Sequence, residues 1–273
     1  MLTFNTENMV RQHFAFPATI MDYIFKNAEP KHLIKFYQTC KFFYNKFRRN
    51  IIQHLEIVAD GEAEVLTPTK TVICVSNPLL EKLADFWITD SFVYPASLRF
   101  GKIIPLFCHY TIKKLEFDAY LIWREFEILT EAGKIEEIKL KGICRYQIFV
   151  GIEDIIAQVP SAKSIEISDS IFTPTTCASL TSLNHKAKIS NIVLQNINEF
   201  GFVNVELLKE FILKNADIDC NVHIDFEQYD GDDDDILDLN NTLQKLANGY
   251  IDALVNALET KKVILDFAKV SMS

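Results

Sequence analysis

Residues 137–141 read Glu-Ile-Lys-Leu-Lys, and residues 164–168 read Ser-Ile-Glu-Ile-Ser. In both stretches apolar and polar side chains alternate, which is typical of a β-strand that buries one of its faces. Similar alternation occurs over residues 114–117, 191–195, 221–226 and 262–267. The pattern predicts six buried side chains in three of these strands, namely Ile138, Leu140, Ile165, Ile167, Ile192 and Leu194.

The six strands recur along the chain with helical segments between them. Their first inward residues are residues 115, 138, 165, 192, 222 and 263, so the steps are 23, 27, 27, 30 and 41 residues. Apolar residues at helical spacing predict helices over 121–132, 147–159, 205–215 and 235–259, and segment 173–186 gives a weaker helix signal. Strands that alternate with helices pair in parallel, because each crossover needs a connection of about that length.

A short strand in each unit of about 20–29 residues is typical of leucine-rich repeats. The sequence therefore predicts an α/β fold in which residues 58–273 form an irregular leucine-rich-repeat-like arc with parallel strands. Asn196 follows one strand, but most units lack the asparagine that is usual in such repeats. An open α/β sheet without curvature is the alternative.

Apolar residues at helical spacing predict three helices in residues 14–54. The first ends near Phe25, the second spans Pro30–Gln38, and the third runs from Cys40 to about His54. Pro17 and Pro30 each stand in a first turn, where the missing N–H carries no penalty. Across residues 14–47, 19 of 34 residues are apolar. A unit this small cannot bury them all internally, so we expect the remainder to contact the rest of the chain or another protein.

The same segment contains, in order, Phe16-Pro17, Ile20-Met21, Ile24-Phe25, Glu29-Pro30-Lys31-His32-Leu33 and Thr39-Cys40-Lys41-Phe42-Phe43. In order and spacing this segment resembles an F-box, and the two-part chain resembles the divergent F-box proteins that are expanded in nematodes. The resemblance divides the chain into an F-box-like helical module (1–57) and a substrate-recognition domain (58–273). It implies that the module binds a Skp-type linker, and through it a cullin, with Phe16, Pro17, Ile20, Met21, Ile24, Leu33 and Phe43.

The resemblance implies a non-catalytic adaptor of an SCF-type (Skp–cullin–F-box) ubiquitin ligase that recruits a protein target. The alternative is an interaction scaffold that joins no ligase, in which the N-terminal helices cap the second domain. A hydrolase or transferase is a third class, but the chain has no G-x-S-x-G, H-E-x-x-H or G-x-x-x-x-G-K-[ST] motif. We therefore expect neither an enzyme nor a cofactor.

The predicted strand register turns a second set of side chains away from the core. If the strands stack in parallel, this set lines one surface, where we expect the target to bind. Four of its six members are acidic, which favours a basic target segment. The predicted target-binding residues are Glu116, Lys139, Glu166, Gln195, Asp225 and Asp266.

The charge distribution and the spacing of cysteines and histidines argue against nucleic acid and metal ions as ligands. The net charge is −9, with eight basic and four acidic residues in 1–57, so the remainder carries −13 and would repel nucleic acid. The six cysteines and six histidines lack the spacing of zinc ligands, and the acidic run 230–235 lacks that of a calcium loop, so no metal is expected. With no signal peptide and no long apolar run, we expect a cytoplasmic or nuclear protein without membrane contact.

Overall fold

The computed structural model describes residues 16–67, 69–95, 109–198, 202–226 and 264–266, and within them the chain is a mixed α/β protein. The helices are α1 (Ala18–Asn27), α2 (Pro30–Thr39), α3 (Lys41–Phe47), α4 (Leu79–Lys82), α5 (Trp123–Thr130), α6 (Ile152–Gln158), α7 (Thr176–Ser182) and α8 (Val205–Asn215). The strands are β1 (Asn50–Val58), β2 (Val65–Leu66), β3 (Lys70–Cys74), β4 (Phe86–Tyr94), β5 (His109–Tyr110), β6 (Lys114–Ile122), β7 (Glu137–Arg145), β8 (Ile148–Phe149), β9 (Ser164–Ile171), β10 (Ile189–Asn198), β11 (Ala216–Phe226) and β12 (Ile264–Asp266).

The strands form one mostly parallel sheet. From β1 onward, β4, β6, β7, β9, β10, β11 and β12 are neighbours in chain order, and β3 lies on the other side of β1. These pairs are parallel, which confirms the parallel pairing predicted from the strand and helix alternation. The two short strands β2 and β8 pair antiparallel with β3 and β7.

The core consists of apolar rows that cross the sheet at right angles to its strands, covered by α5 to α8. The six side chains predicted to be buried are all buried, which confirms the predicted register of their strands. The first row contains Leu115, Ile138, Ile165, Ile192 and Val222. The second row contains Phe117, Leu140, Ile167, Leu194 and Ile224.

The third predicted helix is too long, because α3 ends at Phe47 and residues 50–58 form β1. A short apolar run such as this one is compatible with either a helix or a strand. Here β1 is paired on both sides, with β3 and β4, and this tertiary pairing decides its conformation. The sheet therefore begins at Asn50, before the boundary predicted at residue 58.

The helix predicted over 147–159 is shorter than expected, since Ile148–Phe149 forms β8 and the helix begins at Ile152. Tyr146 and Gln147 both adopt positive φ angles, 53° and 67°, and reverse the chain so that Ile148 lies opposite Arg145. The helix predicted over 205–215 is confirmed as α8. The helix predicted over 235–259 and the acidic run 230–235 lie outside the described residues.

The three N-terminal helices enclose a core of their own, made of Met21, Phe25, Leu33 and Tyr37. The rings of Phe25 and Phe47 stack with centroids 4.2 Å apart. Ile51 and Trp87, near the amino ends of β1 and β4, pack against this cluster and connect it to the sheet. We call residues 16–49 the helical module.

Candidate functional site

Helix α1 exposes apolar side chains on the face that points away from the module core. Ile20 and Tyr23 are three residues apart, so they lie on one face of the helix, and they are 44% and 70% exposed. Phe16, just before the helix, is 57% exposed. We call Phe16, Ile20 and Tyr23 the α1 stripe.

The residues implied as linker contacts separate into two groups. Phe16, Pro17 and Ile20 are exposed, and Ile24 and Phe43 are half-buried. Met21 and Leu33 instead lie in the module core, where Leu33 has no exposed surface. These two side chains hold the three helices together and are not available for contact with a partner. Sequence reasoning missed Tyr23, although its spacing from Ile20 is a signal for a shared face.

The outward face of the sheet brings most of the predicted target-binding residues together. Glu116, Lys139 and Glu166 are neighbours in one register row, which continues through Val193 and His223 to the position of Asp266. Gln195 and Asp225 lie on the same face but two positions further along their strands, so they belong to a different row. The register Ile165–Ile192 sets this offset, because it places Val193 beside Glu166.

Lysines neutralise the carboxylates of this row. Lys114 Nζ lies 3.7 Å from Glu116 Oε2 and 3.8 Å from Glu137 Oε2, and Lys139 Nζ lies 3.8 Å from Glu166 Oε2. These side chains line a shallow groove of about 280 Å³. Such partly exposed ion pairs contribute about 0–1 kcal/mol each. The groove thus contains three carboxylates and two lysines, so its formal charge is 2 − 3 = −1.

Amide side chains extend this polar network across the next strands. Asn221 Nδ2 donates to Asn191 Oδ1 (2.8 Å), and Asn191 Nδ2 donates to Ser164 Oγ (3.1 Å) and to Glu166 Oε1 (3.2 Å). Glu166 is thus held by a lysine and by an amide. Glu116, Lys139 and Glu166 therefore each have a charged or polar partner within the chain itself.

A second polar cluster lies towards the carboxyl ends of the strands. Asp169, which is buried, accepts hydrogen bonds from Tyr120 Oη (2.6 Å) and from Asn196 Nδ2 (2.5 Å). The Tyr120 ring passes over Gly142, where a Cβ would lie 3.2 Å from the ring and 2.8 Å from the Asp169 carbonyl oxygen. The hydrogen bond to Asp169, together with burial, raises the pKa of Tyr120 to about 12.

A lysine and an aromatic ring lie beside Tyr120, and an arginine lies on the ring of Trp123 near the end of the same strand. Lys141 Nζ lies 5.2 Å from the Tyr120 ring centroid, Arg145 Cζ lies 4.6 Å from that of Trp123, and the Tyr120 and Phe149 centroids are 5.7 Å apart. Ile122 is exposed on the face of Tyr120, and Tyr146 and Ile148 are exposed in the hairpin that follows β7. We call the outward set of Tyr120, Ile122, Lys141 and Phe149 the aromatic–cationic patch, whereas Arg145 pairs with Ile148 on the opposite face, the one that carries Ile143.

The hairpin that connects β7 to β8 presents Tyr146, which is 92% exposed, at its tip. Two-residue turns with positive φ at both positions favour Asn-Gly or Asp-Gly, because larger side chains are strained there. The Tyr146-Gln147 pair therefore stores strain, typically about 1 kcal/mol or more per residue. Sequence reasoning missed this hairpin because the segment has the apolar spacing of a helix.

Neither metal ligands nor reactive thiols converge in the part of the chain that the structure describes. No group of three or more His, Cys, Asp or Glu side chains could hold a metal ion there. Burial raises the pKa of the Cys177 thiol, and it raises the pKa of Cys220 to about 11. Both thiols are therefore protonated near neutral pH and are poor nucleophiles.

Among the described helices none is long and apolar enough to cross a membrane. No family model, curated protein or solved structure matches the chain.

Proposed function

We propose that the chain is a substrate-recruiting adaptor of an SCF-type ubiquitin ligase. The helical module docks on a Skp-type linker that connects to a cullin, and the sheet domain binds the protein target. The adaptor holds the target close to the ligase and carries out no covalent chemistry itself. The observation that carries the proposal is the α1 stripe, on a module whose helices already have a core of their own.

The stripe is available for a partner because folding does not use it. Met21 and Phe25 fill the module core from one face of α1, while Ile20 and Tyr23 stay exposed on the other. Exposed apolar side chains that lie together on a helix are typical of a protein-binding surface, where aromatic anchors contribute most of the affinity. The F-box-like order of residues 16–43 supports a Skp-type linker as that partner.

The order of the strands supports a leucine-rich-repeat-like arc as the finer architecture. From β6 to β12 the parallel strands are neighbours in chain order, and α5 to α8 pack on the inward rows. The outward face is thus the face opposite these helices, and repeat proteins commonly bind partners there. In this proposal Glu116, Lys139, Glu166, Gln195, Asp225 and Asp266 belong to the target-binding face.

The second candidate function is a scaffold whose helices only cap the sheet. The packing of Ile51 and Trp87 against the module favours it, since these contacts seat the helices on the ends of β1 and β4. A cap of this kind needs only the inward face of α1. The scaffold function does not explain why Ile20 and Tyr23 are exposed, and it predicts that the chain does not bind a linker.

A direct binding measurement with a purified Skp-type linker tests the adaptor proposal. The full chain should bind, and Ile20→Asp with Tyr23→Asp should weaken binding by at least about tenfold, because two charges enter an apolar contact. Ile218→Asp is the matched control, since Ile218 is 76% exposed in β11, outside the module. Equal binding by both variants, or no binding by the unmodified chain, would contradict the proposal.

A further inference from the structure

Strand β6 carries a charged end and an apolar end on the same face of the sheet. Its inward residues, which contact the core, are Leu115, Phe117, Ala119 and Leu121. Its outward residues are Lys114, Glu116, Asp118, Tyr120 and Ile122. Because alternate side chains of a strand share a face, these five outward residues belong to one surface.

The amino-terminal end of this surface has an excess of negative charge. It is the groove lined by the five charged side chains that we call the charged groove, namely Lys114, Glu116, Glu137, Lys139 and Glu166. Lys114 Nζ is shared by Glu116 and Glu137, at 3.7 Å and 3.8 Å, whereas Lys139 pairs with Glu166. The Glu116 and Glu137 side chains are 33% and 56% exposed, so an external cation can reach both of them.

The carboxyl-terminal end of the surface exposes apolar side chains. Tyr120 is 47% exposed and Ile122 is 55% exposed. Phe149 contacts the Tyr120 ring and is paired with Cys144, which is also the register partner of Ile122. Large apolar side chains that are exposed together are typical of a protein-binding surface, because their burial on contact is favourable.

Contacts within the sheet fix the orientation of Tyr120 before any partner binds. Its hydroxyl donates to Asp169 at 2.6 Å, and its ring lies over Gly142. A side chain that is already held in place loses little conformational entropy on binding. Lys141 Nζ lies 5.2 Å from the centroid of the same ring, so its positive charge disfavours a basic residue over the apolar end.

We propose that this surface binds an extended segment of a protein target that carries a lysine or arginine at one end and a bulky apolar side chain at the other. The basic side chain enters the charged groove at Glu116 and Glu137, and the apolar side chain packs on Tyr120 and Ile122. The proposal rests on the proposed role of the sheet domain in target binding, and it adds the chemistry of the target.

The strand also defines the spacing of such a segment. Tyr120 and Ile122 lie four and six residues beyond Glu116 in β6, which is about 13 Å and about 20 Å along the strand. An extended peptide has about the same rise per residue as the strand. The basic and apolar residues of the target are therefore about four to six positions apart.

The charge of the chain favours a basic segment over an acidic peptide or a nucleic acid. Residues 58–273 carry a net charge of −13, which attracts cations and repels polyanions. Asp118 is exposed on the same strand, between the charged groove and Tyr120. A polyanion that followed this surface would pass over Glu116, Asp118 and Glu137.

Selection of binders from a random peptide library on the folded full chain tests the inference. The recovered peptides should contain a lysine or arginine and a bulky apolar residue about four to six positions away. Their affinity should fall at least about tenfold in Ile122→Asp and at least about fivefold in Glu116→Gln with Glu137→Gln. Binding to the unmodified chain should also weaken as the salt concentration rises.

The opposite face of the sheet provides a matched control for each variant. Ile148→Asp matches Ile122→Asp, since Ile148 is 66% exposed and pairs with Arg145 on the face that carries Ile143. Glu127→Gln with Glu131→Gln matches the groove variant, because both residues are exposed in or next to α5 and the change in net charge is the same. Neither control should lower the affinity by more than about twofold.

Four results would overturn the inference. They are a recovered pool of acidic peptides, a selection that recovers no binder, an unchanged affinity in Ile122→Asp, and an equal loss of affinity in the groove variant and its control. Linker binding is measured on the same proteins. A chain that binds the selected peptides but no linker would contradict the adaptor proposal and leave this inference standing, and a chain that binds only the linker would do the reverse.

Discussion

Tyr120 lies on the outward surface of the sheet and contacts residues of β7 and β9. Its hydroxyl donates to buried Asp169, its ring covers Gly142, and Lys141 lies against its face. A hydrogen bond from Asn196 holds the second oxygen of Asp169. The orientation of this tyrosine, and of the lysine beside it, therefore depends on a carboxylate from another strand.

The hydrogen bond predicts a dependence of stability on pH. The pKa of Tyr120 is raised to about 12 in the folded chain, so the folded state holds this proton more tightly than the unfolded state, where the pKa is about 10. The stabilisation is fully present below pH 10 and is lost as the pH rises from about 10 to about 12.

Chemical denaturation of the unmodified chain and of Tyr120→Phe at several pH values measures this effect. Phenylalanine keeps the ring over Gly142 and removes only the hydroxyl, so the other tyrosines cancel in the comparison. The difference in unfolding free energy between the two proteins should be constant up to pH 10 and should shrink above it. A difference that does not change with pH would mean that the hydroxyl does not donate to Asp169.

The sequence predicts which side chains face outward, but it does not predict which of them contact each other across neighbouring strands. Glu116 and Lys139 share a row because alternation holds through the first half of each strand. Beyond that point register shifts occur in β6 and β10, so residues from three strands meet at Asp169. Such irregularities leave no periodic signal in the sequence.

Helices and strands can be predicted from the sequence where an apolar repeat continues along the whole element. Helix α8 has an apolar repeat and an N-cap, since Asn204 Oδ1 accepts from Leu207 N at 3.1 Å. Strand β1 and the β7–β8 hairpin depend instead on pairing with neighbours and on positive φ angles. Strand pairing and turn conformation arise in the folded chain, so a local sequence pattern does not predict them.

Helix α2 allows a test that separates burial from contact. Leu33 is fully buried in the module core, so Leu33→Asp should unfold the module at a cost of several kcal/mol. Circular dichroism should show a loss of helix and a lower melting temperature. Ile20→Asp, on the exposed face of α1, should leave the melting temperature unchanged within about 2 °C.

Both substitutions should weaken linker binding, but for different reasons. Leu33→Asp acts by unfolding the helices, and Ile20→Asp acts at the contact itself. A Leu33→Asp protein with normal helix content and normal melting behaviour would contradict the burial of this side chain. It would return Leu33 to the set of linker contacts implied by the F-box resemblance.

In the described residues of the molecule, two clusters of buried apolar side chains lie beneath two different surfaces. One core consists of the module side chains around Phe25 and Leu33, and the other runs under the sheet from β1 to β11. The α1 stripe belongs to the first unit and the aromatic–cationic patch to the second. This separation underlies the central claim, which is that one chain connects a linker to a target through independent surfaces.

Quantitative mass spectrometry of the proteins that co-purify with the tagged full chain tests this claim most directly. A Skp-type linker and a cullin should co-purify with the unmodified chain and with Ile122→Asp. Both should fall to background with Ile20→Asp/Tyr23→Asp, because only that variant alters the linker surface. Absence of linker and cullin from the unmodified chain, or their undiminished recovery with the α1 variant, would contradict the account.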